Sequence, residues 1–93
     1  MIVAVTRWEL QLAGCRSLKD KRRIVKSLKD RLQARFRVAA AEVDHQDLWQ
    51  RAAIAAAVVS ADHRHAEEVL TACDQLVQSE ALAHIITSET QYL

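Results

Sequence analysis

Residues 2–12, IVAVTRWELQL, alternate with a period of two, and no other stretch restricts the fold as much. Ile2, Ala4, Thr6, Trp8, Leu10 and Leu12 fall on one side, and Val3, Val5, Arg7, Glu9 and Gln11 on the other. Successive side chains of a strand point to opposite faces. The segment is therefore a strand with one covered face and one mixed face, as in an antiparallel sheet layered on one side only.

Gly14, the one glycine of the chain, breaks the alternation. SLKD at 17–20 follows with the spacing of a capping box, Ser17 as N-cap and Asp20 three residues on. Leu18, Ile24, Val25, Leu28, Leu32 and Phe36 then recur at helical spacing, which predicts a helix over 18–36. Residues 37–44, RVAAAEVD, read as a short strand. The stretch HQDLWQRAAIAAAVVSA is ambiguous. Its alanines favour a helix over 48–59 capped by Asp47, whereas Val58–Val59 and a new helix start at Asp62 favour a strand. From Asp62 a second helix carries Ala66, Val69, Leu70, Cys73, Leu76 and Val77 on its apolar stripe. Residues 82–92 return to a strand. The order strand–helix–strand–strand–helix–strand makes two split βαβ units. Such a chain folds as an α+β, ferredoxin-like sandwich over 1–93, a single domain with a four-stranded antiparallel sheet and both helices on one face.

GCRSLKDKRRIVKSLKDRL and AEVDHQDLWQRA, with VVSADHRHAEEVL after them, resemble the YlxP-like family of small bacterial proteins of undefined function. The resemblance covers nearly the whole chain. It implies the ferredoxin-like fold and makes 50–60 a strand, which composition leaves open. It also implies a translation-related role without naming an activity. The alanines at 52–57 depart from the family's usual look and put no candidate site in doubt.

Charge is divided along the chain. Residues 1–37 hold eleven Lys or Arg against three Asp or Glu, a net of +8; residues 38–93 hold two against nine, a net of −7. This suits a surface that faces a polyanion, or head-to-tail self-association. On the helical wheel of 18–36, Lys29, Arg22, Lys26, Lys19 and Arg23 form one band, and Arg16 extends it. Arg31 and Arg35 flank the apolar stripe on its other side, and Arg37 carries charge towards the second strand. A solvated face normally mixes both signs, so the band is read as a phosphate-binding surface. Lys21 falls inside the apolar arc. It is expected to snorkel from the first turn, or else to send its ammonium into the cleft towards a phosphate or the Asp44–Asp47 turn.

The stretch EVDHQDLWQ, residues 42–50, has the vocabulary of a metal or acid–base site. Asp44, His45 and Asp47 with Arg51 are a candidate surface site. A metal centre needs three or four convergent ligands, and too few stand there, so no metal is expected. The stretch reads first as a hairpin turn, with Arg51 paired to Asp44 or Asp47 and Trp49 buried against a helix end. His63 and His65 face different directions on a helix and make a poor metal pair; His84 is alone.

Cys15 and Cys73 read as one loop thiol and one core thiol. No apolar run is long enough to span a membrane, and Arg7 and Glu9 interrupt any secretory segment. The expectation is a cytoplasmic, non-enzymatic binding module without a cofactor. Its partner is structured RNA or a ribosomal particle, held through Arg16, Lys19, Lys21, Arg22, Arg23, Lys26 and Lys29. The rival reading is a module that binds a protein or a second copy of itself through the open sheet face, where Ala and Val are small and aromatics are scarce.

Overall fold

In the computed structural model, which describes Met1–Leu93, the alternating segment is β1 (Ile2–Gln11). Ala4, Thr6, Trp8 and Leu10 are buried on its covered side. The helix α1 spans Leu18–Phe36. The Ser17 hydroxyl accepts from the Asp20 N–H at 3.1 Å, which satisfies one orphan donor of the first turn. The return half of the capping box is displaced by one residue, since Asp20 Oδ2 accepts from the N–H of Arg16. Arg37 closes the helix in the left-handed region, with φ 54° and its N–H bonded to the Gln33 carbonyl. Glycine usually takes that position. The cap uses up Arg37 and leaves Val38 buried, so β2 (Ala39–Asp44) starts later than the pattern suggests.

β3 (Arg51–Ser60) is a strand despite five alanines. It pairs along its whole length with β1, from Ile2 opposite Ser60 to Gln11 opposite Arg51, and with β2 on its other edge. Ladder bonds on both edges and burial outweigh a helix preference of under about 1 kcal/mol per residue. The helix α2 (His63–Gln78) starts at an Asp62 cap that accepts from the Arg64 N–H, and β4 (His84–Tyr92) follows. The sheet order is β2-β3-β1-β4, every neighbouring pair antiparallel. This is the ferredoxin-like α+β sandwich.

Both helices pack on the face that carries Trp8 and Ile54. Val25, Leu28 and Leu32 of α1 meet Leu70, Cys73 and Val77 of α2 in one core. Trp8 is fully buried, and its indole N–H donates to Asp74 Oδ1 at 2.8 Å at the edge of α2. The indole fills the core and still satisfies its one donor. Cys15 is a core thiol like Cys73, because the Leu12–Ser17 connection turns it inward. Burial pushes both thiols up, Cys73 to about 11, so neither offers a thiolate at neutral pH. No helix is long and apolar enough to cross a membrane.

The β2–β3 register shifts between Glu42 and Asp44, with Val43 as the extra residue. Glu42 therefore stays on the helix side opposite Ile54, while Asp44 faces the open side opposite Ala53. This bulge divides the EVDHQDLWQ stretch between two sites.

Candidate nucleic-acid interface

The outer surface of α1 carries the cationic band. Arg16, Lys19, Arg22, Arg23 and Lys26 are exposed and Lys29 is half-buried. Within this set one ion pair forms, Lys26 Nζ to Asp30 at 2.5 Å, an exposed i,i+4 pair. Such pairs contribute only about 0.3–0.5 kcal/mol. Arg31 is drawn off the surface set by Glu80 at the end of α2, and Arg35 lies over the Phe36 ring at 5.5 Å. The remaining cations stay in solvent with nothing opposite them.

Lys21 does not belong to that band. Its side chain is 1% exposed. The ammonium lies 2.8 Å from Glu42 Oε2 and also donates to the His45 carbonyl. Snorkelling is thus ruled out, and so is phosphate contact by this residue. The position lies on the apolar arc, and the helix side of β2 supplies a carboxylate where the ammonium arrives. Of the two expected roles, only the link to the turn holds.

On the open face a second polar cluster forms around Glu9. Arg7 Nη2 donates to Glu9 Oε1 at 2.7 Å, Arg51 Nη2 to Glu9 Oε2 at 3.1 Å, and His45 Nε2 lies 2.9 Å from Oε2. Arg7 also reaches Asp44 at 3.4 Å, and the Asp44 carboxylate accepts from the His45 N–H at 2.8 Å. Arg51 is therefore paired with Glu9 and with neither Asp44 nor Asp47. In-register pairing places Glu9 and Gln11 across from Ala53 and Arg51, so Glu9 is within the guanidinium's reach. His45 has φ 62°, a left-handed conformation in which His is enriched. That conformation helps place its carbonyl to accept from both Lys21 and the Leu48 N–H.

Sequence reasoning named Asp44, His45, Asp47 and Arg51. The fold unites Asp44, His45 and Arg51 with Arg7 and Glu9, and leaves Asp47 outside. Glu9 and Glu42 were missed because the bonds that define their roles cross 36 to 42 positions or the helix–strand gap. Both Glu9 oxygens are occupied by cations or imidazole. The cluster is a cross-strand clamp, poorly suited to abstract a proton. No three His, Cys, Asp or Glu side chains converge as a cation-holding group.

Burial raises the Glu9 pKa, but hydrogen bonds from Arg51, His45 and Arg7 outweigh it and hold the carboxyl below its ordinary value. The His45 N–H, with His45 and Arg7 charge, lowers Asp44 as well. A carboxylate depressed in the folded state stabilises the protein above its unfolded pKa and loses that contribution as pH falls through the folded one. Urea midpoints should therefore decline on acidification from about pH 5 to about pH 3. Glu9→Gln should start from a lower midpoint and decline less steeply. An unchanged slope in that variant would remove the clamp from the account.

Trp49 departs most from expectation. It is 50% exposed, and Leu48 is 48% exposed. The strand resumes only at Arg51, so both side chains remain in the connection.

A sheet covered on one face by two helices, with a solvated cationic band on the first, defines a small ferredoxin-like α+β domain with one strongly basic helix. The chain belongs to the family described as protein of unknown function (DUF503), whose model matches residues 3–90. It is 39% identical over 54 residues to the uncharacterized protein YlxP of Bacillus subtilis (strain 168), a match covering 58% of this chain. The chain spans 59% of that relative's length. Two crystal structures of SnoaB, a cofactor-independent oxygenase from Streptomyces nogalater, one of them a mutant, superpose with TM-scores of 0.56 and 0.55 at 17% identity. Each covers 99% of this chain and 90% of the other, a likeness of fold alone.

Proposed function

We propose that the protein is a non-enzymatic module that binds structured RNA, as in a ribosomal particle, through the outer face of α1. The observation that carries this reading is the band Arg16–Lys19–Arg22–Arg23–Lys29, exposed or half-exposed and without a salt bridge, on a chain whose net charge is only +1. Like charges crowded on one face repel one another, and a polyanion relieves that repulsion while releasing its own counterions. The translation-related role implied by the family resemblance points the same way.

The test is Arg22→Glu with Lys26→Glu. Both positions are exposed, so the stability read by urea titration should shift by no more than about 1 kcal/mol. Retention on ribosomal RNA should be lost. In the parent, log affinity should fall against log salt by roughly 0.7–0.9 per phosphate contact. Parent-like retention in the double variant would refute the proposal.

A second reading draws on the open sheet face, where Val3, Val5, Ala55 and Ala57 are half-exposed and Val59 is 67% exposed. A second copy covering this face would give a dimer indifferent to salt, read by sedimentation. Val5→Lys would then produce monomers.

A further inference from the structure

We infer that Trp49 is the seat for one unpaired base of the bound RNA, so that the ligand is a strand with unstacked nucleotides beside a phosphate-rich stretch. The inference rests on the proposal that α1 contacts phosphates, and narrows it.

Three observations place the indole where it can act with the band. The Leu12 N–H donates to the Gln50 carbonyl at 2.9 Å, tying the β2–β3 connection to the start of the Leu12–Ser17 loop. Lys21, in the first turns of α1, holds the His45 carbonyl at the other side of that connection. Arg16, in the same loop, and Lys19, in the first turn, are exposed at this end of the molecule. The half-exposed indole thus lies at the cationic end of the band.

The surface around it has the chemistry of a base site. Asp47, Leu48, Trp49, Gln50 and Arg51 line an open concavity of about 440 Å³. A base can stack on the indole, with Leu48 as apolar flank. Asp47 makes no salt bridge or side-chain hydrogen bond and is exposed. Its carboxylate accepts from an exocyclic amino group and repels phosphate, while Gln50 both donates and accepts. Base inward and phosphates outward, towards Arg16 and Lys19, is the orientation this charge arrangement favours. A duplex keeps its bases stacked and cannot use the seat.

The probes are a single-stranded RNA of about a dozen nucleotides and a fully paired duplex of the same length. Trp8 is buried, so exposed-indole fluorescence reports Trp49. The single strand should quench it and the duplex should not. Trp49→Ala should weaken single-strand binding by about tenfold or more and leave duplex binding unchanged, stacking being worth about 1–3 kcal/mol per base. Trp49→Phe should recover part of the loss, and unchanged urea midpoints would exclude misfolding. If Trp49→Ala binds the single strand like the parent, or weakens both probes equally, the seat is refuted. In that case Arg22→Glu with Lys26→Glu still loses both probes, and the band reading stands. If the parent binds neither probe, both readings fall together.

Discussion

Trp8→Ala should remove about 3–5 kcal/mol of stability, while Trp49→Ala should change it by about 1 kcal/mol or less. Trp8 is fully buried between sheet and helices, and a truncation there leaves a cavity that close-packed neighbours fill only in part. It also strips Asp74 of the indole donor, leaving that carboxylate with Gln78. Trp8→Phe keeps most of the volume and should fall between parent and alanine variant. Trp49 is half in solvent, so its removal costs little burial. Urea titrations of the three variants decide the matter. An equal or larger loss in Trp49→Ala would show that the connection folds inward.

Lys21→Met should destabilise the protein by about 3–5 kcal/mol, although methionine suits the apolar arc it enters. The reason lies across the gap. Glu42, whose side chain is 19% exposed, loses the ammonium 2.8 Å away. The His45 carbonyl retains the Leu48 N–H. An orphaned, mostly buried carboxylate is costly, whereas removing both partners of such a pair is often neutral or better. Lys21→Met with Glu42→Leu should therefore restore most of the loss. The coupling in the four-cornered cycle measures the pair directly. A parent-like midpoint in Lys21→Met alone would show that the ion pair does not form in solution.

The two tryptophans show where sequence reading stops. Trp8 sits in an unbroken alternation, and its phase alone assigns it to the covered face. Trp49 lies between two patterns, in a connection with no period of its own, and only the register of β2 and β3 decides whether it returns to the sheet. Lys21 shows the same limit in another form. Helical phase correctly placed it inside the apolar arc, but whether a buried lysine is an error, a snorkel or half of an ion pair depends on what the facing strand presents. The register of β2 on β3 puts Glu42 there, opposite Ile54, and register is a property of two paired strands.

The amino-acid sequence by itself determined β1, α1, β2, α2 and β4 in order, the extent of α1, the Ser17 and Asp62 helix starts and the cationic band. Each of these rests on local periodicity, end chemistry or helical phase, interactions that span a few residues. The strand state of β3, the Glu9 clamp, the Lys21–Glu42 pair and the exposure of Trp49 were decided only in the tertiary structure. They depend on ladder pairing, register and the meeting of side chains 21 or more positions apart, as with Lys21 and Glu42, whose energies have no counterpart in local sequence.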